Sequence, residues 1–195
     1  ADTLLYTAIL PTDTNVAGVY VRHEDKTFLV RTLPYSVTEK YLLDVARFDN
    51  HWYYVVATES EGKIYIYKDP KEMPAGESAA YLSVMRLDRP KFVSFSANTR
   101  NIAVQSGSNV AVYDLETLRQ YRYTLDGVVL TEDYKMEWMD GHRLLANKDG
   151  VAYVIDFDGT NQQKILSERV VGDTVYFDRN YKKMAAYRLI EGSTD

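Results

Sequence analysis

A chain of 195 residues is long enough for one domain with a substantial core, or for about four and a half four-stranded repeats. With 46% hydrophobic and 26% charged residues it is an ordinary globular composition, neither disordered nor membrane-embedded. A formal net charge of −5 and a pI near 5.3 argue against a nucleic-acid partner, since phosphate binding needs a basic field.

There is no cysteine, so disulfides, thiolate metal sites and cysteine nucleophiles are excluded. The compartment stays open, because exported bacterial proteins can also do without disulfides. No stretch approaches a transmembrane helix, so direct membrane insertion of this segment is not expected. Residues 1–10 lack the charged and apolar regions of a signal peptide, and any export signal or anchor is expected upstream.

In chain order, Leu4 to Leu10 reads as a strand, 11–15 as a turn, and Val16 to Arg22 with Thr27 to Thr32 as a hairpin around His23 to Lys26. The repeat spacing assigns these three as the second, third and fourth strands of a partial blade over 1–33. Val37 to Leu43 reads equally as a short helical turn capped by Ser36 or Thr38, or as strand leading into Tyr41 to Phe48. Four-stranded units are then expected at about 41–88, 91–126 and 134–167, with a partial one at 174–190. Asp69 to Glu77 is the longest irregular segment and is predicted to project as a loop.

Lys91 to Gly127 is the clearest unit. Strands at Phe92 to Ser96, Ile102 to Gln105, Val110 to Tyr113 and Tyr121 to Leu125 alternate with turn-forming Ser, Asn, Gly and Asp clusters. An aromatic near the end of the first strand recurs as Phe48, Phe95, Trp138 and Phe177, at spacings of 47, 43 and 39 residues. A second column, Tyr67, Tyr113 and Ile155, has spacings of 46 and 42. Two columns sharing one drift in period predict a β-propeller of four-stranded antiparallel blades. A β-sandwich with coincidental spacing is the alternative, ahead of a solenoid. Three, twelve and two strands total seventeen, which favours part of a larger ring over a closed four-blade one, with a homodimer or docking on upstream blades covering the open faces.

Phe95-Ser96-Ala97-Asn98 with Asn101-Ile102-Ala103-Val104 resembles the opening of a TolB-type propeller repeat, and Val151 to Gln163 its closing half. Val110 to Leu125 is similar to the end of a WD-repeat blade, with Tyr113-Asp114 in place of Trp-Asp and without the accompanying Gly-His pair. The combination WMDGHRL, DFDGTNQQ and YFDRNY resembles propellers of bacterial surface proteins that carry a PEGA domain after an N-terminal membrane anchor. This resemblance, mainly over residues 91–190, implies an extracytoplasmic, membrane-anchored parent; a cytoplasmic protein is the alternative.

Little in the sequence carries catalytic chemistry. Asp156 to Asn161 has the alternating acids of a calcium loop but no bidentate glutamate, and reads as a tight turn, as do Asp140-Gly141 and Asp149-Gly150. His23, His51 and His142 sit in or beside turns without metal-ligand spacing. No nucleophile elbow or phosphate loop occurs, so neither cofactor nor metal is expected. Asp44, Asp49, Glu137 and Asp178 lie near first strands, where propeller glycosidases carry paired carboxylates, but the aspartate-box pattern of sialidases is missing. The expectation is therefore a non-catalytic scaffold for protein or surface-polymer interaction, with a glycan-processing hydrolase as the alternative. Its expected binding residues are Arg47, Glu137, Tyr176, Asp178 and Arg179 near the channel, and Met73 in the projecting loop.

Overall fold

A computed structural model of the chain describes residues 3–8, 11, 16–33, 39–74, 77–125, 135–148, 151–166, 175–178 and 180–186. Among these residues there is no helix, and none is therefore long and apolar enough to cross a membrane. The fold is all-β: successive antiparallel meanders, three of them complete four-stranded sheets of the kind that form propeller blades. The first sheet holds β1 (Thr3–Ala8), β2 (Gly18–His23) and β3 (Lys26–Thr32). The second holds β4 (Tyr41–Phe48), β5 (His51–Thr58), β6 (Lys63–Lys68) and β7 (Ser83–Arg86). The third holds β8 (Phe92–Phe95), β9 (Asn101–Ser106), β10 (Asn109–Asp114) and β11 (Arg119–Thr124). The fourth holds β12 (Glu137–Trp138), β13 (Arg143–Lys148), β14 (Val151–Asp156) and β15 (Gln163–Lys164), and a last pair joins β16 (Tyr176–Phe177) to β17 (Met184–Ala185).

Both sequence columns take equivalent places in these sheets. Phe48, Phe95, Trp138 and Phe177 each end the first strand of a sheet. Tyr67, Tyr113 and Ile155 each take the fifth position of a six-residue third strand and are all buried. Their cross-strand partners, Tyr54, Ile102 and Leu144, are buried too. The equivocal segment before the second sheet is strand from Tyr41 onward; Val37 and the two proposed caps lie outside the described residues.

The chain divides into two compact units, residues 1–95 and 96–195. In the first, β1 lies against β4 and β4 against β8. This corrects the reading of β1 to β3 as second to fourth strands. The strand beside β4, which opens its own sheet, is β1, so the first sheet supplies first, second and third strands. Its outer edge at β3 is covered from the next repeat: the Ala79 amide donates to the Val30 carbonyl at 2.8 Å, and the Thr32 amide to Ser78 Oγ at 2.9 Å. Residues 78–79 thus stand where a fourth strand would, and Ala79 is buried there. Exposed backbone at a sheet edge invites pairing with other chains, and this strap occupies that edge at Val30 and Thr32. Valines 19, 21 and 30 then pack with Tyr54, Val56, Tyr65 and Tyr67 in one core cluster. The Arg31 guanidinium caps it, 3.6 Å from the Tyr65 ring centroid and 3.7 Å from Glu61.

In the second unit, alternate residues of β13 and β14 feed two clusters. Leu144, Ala146 and Ile155 pack with Ala103, Val110 and Val112, whereas Leu145, Ala152 and Val154 pack with Val175. Buried amides add direction to this apolar stacking. Asn101 Nδ2 donates to the Gly141 carbonyl at 3.0 Å, and Gln105 Oε1 accepts from the Met136 amide at 2.8 Å. The turn at 156–161 lies so close to Tyr123 that a Cβ on Gly159 would come within 2.5 Å of the ring.

Asp114 closes the β10–β11 turn from inside. Its carboxylate accepts a fork from Arg100 (2.9 and 2.7 Å), the Glu116 and Thr117 amides, and the Thr117 hydroxyl. Burial opposes its ionisation, but these five donors outweigh burial and hold the carboxyl at about 2. A carboxyl depressed in the folded state stabilises the fold above its unfolded value near 4 and loses that contribution as pH falls toward about 2. Asp114→Asn should cost about 2 kcal/mol in urea unfolding at neutral pH, and should show a smaller further loss than the parent chain between about pH 4 and 2. Gly159→Ala should cost about 2–4 kcal/mol, because φ of +86° and the Tyr123 ring both oppose a side chain; thermal unfolding measures it.

Candidate functional site

The second sheet presents side chains at its two ends, and antiparallel register decides which. One end gathers the β4–β5 turn and the segment after β6. There Asp49 and Asn50 both take left-handed backbone (φ +46° and +63°), as a two-residue hairpin requires. Asp69 Oδ1 accepts the Trp52 amide at 2.8 Å, and Oδ2 forms a short contact with His51 Nδ1. Burial opposes ionisation of Asp69, but His51 and the Trp52 amide outweigh it and keep its carboxyl below the usual range. His23 bonds Thr3 through Nδ1 (2.7 Å) and meets the Trp52 ring edge-on. Among the described residues no cluster of three or more His, Asp or Glu side chains is placed to hold a metal.

The opposite end forms an open pocket of about 300 Å³, lined by Glu39, Lys40, Glu59, Ser60 and Arg89. Register explains the convergence of three distant stretches. Tyr41 pairs with Thr58 and Lys63 with Arg86, so the entry to β4, the β5–β6 turn and the exit from β7 meet at one end. The Glu59 amide donates to the Lys40 carbonyl at 3.1 Å, and the Leu87 amide to the Gly62 carbonyl at 3.0 Å. Glu39 accepts both the Ser60 amide (3.0 Å) and its hydroxyl (2.6 Å). Lys91 Nζ lies 2.5 Å from Glu59 Oε1. That bond, with Lys40 and Arg89 further off, lowers the Glu59 carboxyl. Lys40 and Arg89 are exposed, and among the described residues the side chain of neither forms a hydrogen bond or close ion pair.

Arg89 carries an unusual backbone. Steric pressure from Pro90 drives the preceding residue toward extended geometry, yet Arg89 has φ +45°. A left-handed residue that is not glycine costs about 1–3 kcal/mol, and such strain gathers at functional positions.

The residues expected from the sequence do not meet here. Arg47 and Met73 belong to the first unit, toward the other end of the second sheet: Arg47 Nη2 reaches Asn50 Oδ1 at 3.4 Å, and Met73 is exposed beyond β6. Glu137 and Tyr176 are exposed on β12 and β16 of the second unit. Asp178 is engaged in its own turn, accepting the Lys182 and Lys183 amides at 2.7 and 3.0 Å, and Arg179 lies outside the described residues. Of the other acids weighed for catalysis, Asp44 accepts the Val45 and Phe95 amides. Residues 156–161 form the tight turn expected from the sequence, in which Asp158 accepts the Thr160 amide and hydroxyl and Asp156 accepts from Asn161 Nδ2. Reasoning along the chain missed Lys40 and Arg89; the one local signal was the Arg89-Pro90 dipeptide after a strand. Asp178→Ala should lower stability by about 1 kcal/mol, measured by urea unfolding, through the loss of its turn amides.

No protein-family model matches the chain, and no curated protein matches it. Among solved structures it is similar to the tricorn protease (16% identity, TM-score 0.47), covering 92% of this chain and 18% of that one. It is similar to the complex of the fission yeast SREBP-SCAP binding domains (16% identity, TM-score 0.46), covering 88% of this chain and 52% of that one. It is also similar to TolB from Acinetobacter baumannii (19% identity, TM-score 0.38), covering 86% of this chain and 41% of that one. In each case the chain spans about half or less of the length of the protein it resembles.

Proposed function

We propose that this chain is a non-catalytic β-propeller module that binds a protein or surface-polymer partner, within an extracytoplasmic protein of the PEGA-domain kind. The observation that carries the reading is how the acids are used. Asp44, Asp114, Asp140 and Asp178 each accept backbone amides, so they fix strand ends and turns. At Asp114 and Asp140 these bonds outweigh burial and stabilise the ionised form, which makes a poor proton donor and a poor base. What the sheet ends offer instead is shape and charge on rigid supports, which is how propeller loops engage partners. The placement in a surface protein rests on the likeness of the Trp138 to Leu144, Asp156 to Gln163 and Tyr176 to Tyr181 motifs.

Glycan and peptide arrays test the reading. The expected outcome is saturable binding without turnover. Time-dependent cleavage of a glycan that disappears in Glu137→Gln or Asp178→Asn would establish the hydrolase instead.

A further inference from the structure

We propose that the pocket at the start of β4 takes the carboxylate of an acidic peptide segment, held between the Lys40 ammonium and the Arg89 guanidinium. The assignment rests on the binding-module reading and gives it a ligand chemistry.

Charge accounting within the pocket favours a single negative charge. Glu59 is neutralised by Lys91 at 2.5 Å, leaving Lys40 and Arg89 against Glu39. The balance is one positive charge, on a chain whose formal total is −5. A carboxylate cancels it, whereas a phosphate dianion would overshoot and face the two glutamates. Glu39 is locked on Ser60 and Glu59 on Lys91, so neither competes at close range for the two cations. The guanidinium supplies a planar fork suited to a carboxylate, and the ammonium a point charge beside it.

Two features favour a peptide over a uronic-acid polymer. Among the described residues no aromatic side chain lines the pocket to offer the flat apolar face on which a sugar ring stacks. The second carboxylate oxygen of Glu59 is an acceptor at the rim, matched to the main-chain N–H groups that flank an acidic side chain. Left-handed backbone at Arg89 holds the guanidinium-bearing residue at the pocket wall, consistent with strain retained for binding.

The test is an amide-resolved NMR titration of the whole chain with the blocked peptide acetyl-Gly-Glu-Gly-amide. Parallel titrations use its Gln counterpart, galacturonate and inorganic phosphate. Saturable shifts are expected at the Glu59, Ser60 and Arg89 amides with the Glu peptide, and not with the Gln peptide. Affinity should fall about ten-fold in Arg89→Gln and in Lys40→Gln, the size of one lost charge-assisted hydrogen bond. Lys40 is exposed, so Lys40→Gln keeps the test valid if Arg89→Gln perturbs folding. Equal shifts with the Gln peptide, no saturable shift, or indifference to both substitutions overturns the assignment. Tighter binding of galacturonate or phosphate than of the Glu peptide overturns the peptide as the ligand. An array partner that still binds the Lys40→Gln/Arg89→Gln double variant removes the pocket's role and leaves the binding module standing; a chain that binds nothing on the arrays removes the module reading itself.

Discussion

Everything in this chain follows from the need of a four-stranded sheet to cover two apolar faces at once. Six consecutive residues of β5, Tyr53 to Thr58, are buried, and so are four of β6 and five each of β9 and β10. Such runs cannot belong to a sheet with one wet face, which would alternate. The outer strand β11 shows how far the requirement extends: its residues are exposed or half-buried, because the last strand of a meander leaves the stack. Burial is therefore highest in the two middle strands and lower in the edge strands β8 and β11, and from the middle strands to β11 the sequence changes with it, from valine, isoleucine and alanine to arginine, glutamine and threonine.

Apolar stacking alone would leave sheets free to slide, since the hydrophobic effect has no direction. Polar groups placed inside the stack supply it. Asn101 and Gln105 lie on one strand and reach the backbone at Gly141 and Met136. A shift by one residue would strand both amides in the core, at a cost of about 1–3 kcal/mol each. Asp114 acts within its own sheet, where one carboxylate ties the turn to Arg100 across the first hairpin. Asp114 is thus a buried acid that satisfies its own turn.

Strand positions and turns were legible in the sequence because both are local. Side-chain alternation and Asn, Asp, Ser and Gly clusters report the geometry of a few adjacent residues, and the aromatic columns report the same geometry once per repeat. The identity of the first sheet's strands was not legible. That depends on β1 lying against β4, a neighbour relation with no local signature, and on residues 78–79 filling an edge from a distant loop. The pocket escaped for the same reason. Lys40, Ser60 and Arg89 are three unremarkable surface residues until register brings their strand ends together. Asp178, the acid that repeat position marks out, is engaged by its own turn amides, a bond set by the five residues that follow it.

The strap over β3 ties the fate of two repeats. Because residues 78–79 leave the second sheet, bond the first and return at Leu82 to the Ile66 carbonyl, the loop cannot open without baring the edge of β3. Opening either sheet therefore releases hydrogen bonds in the other, and the two should exchange their amide protons as one cooperative block rather than sheet by sheet. A repeat architecture of this kind loses the independence of its modules at that seam, so evolution could not duplicate or delete the second repeat alone without leaving its neighbour's edge exposed.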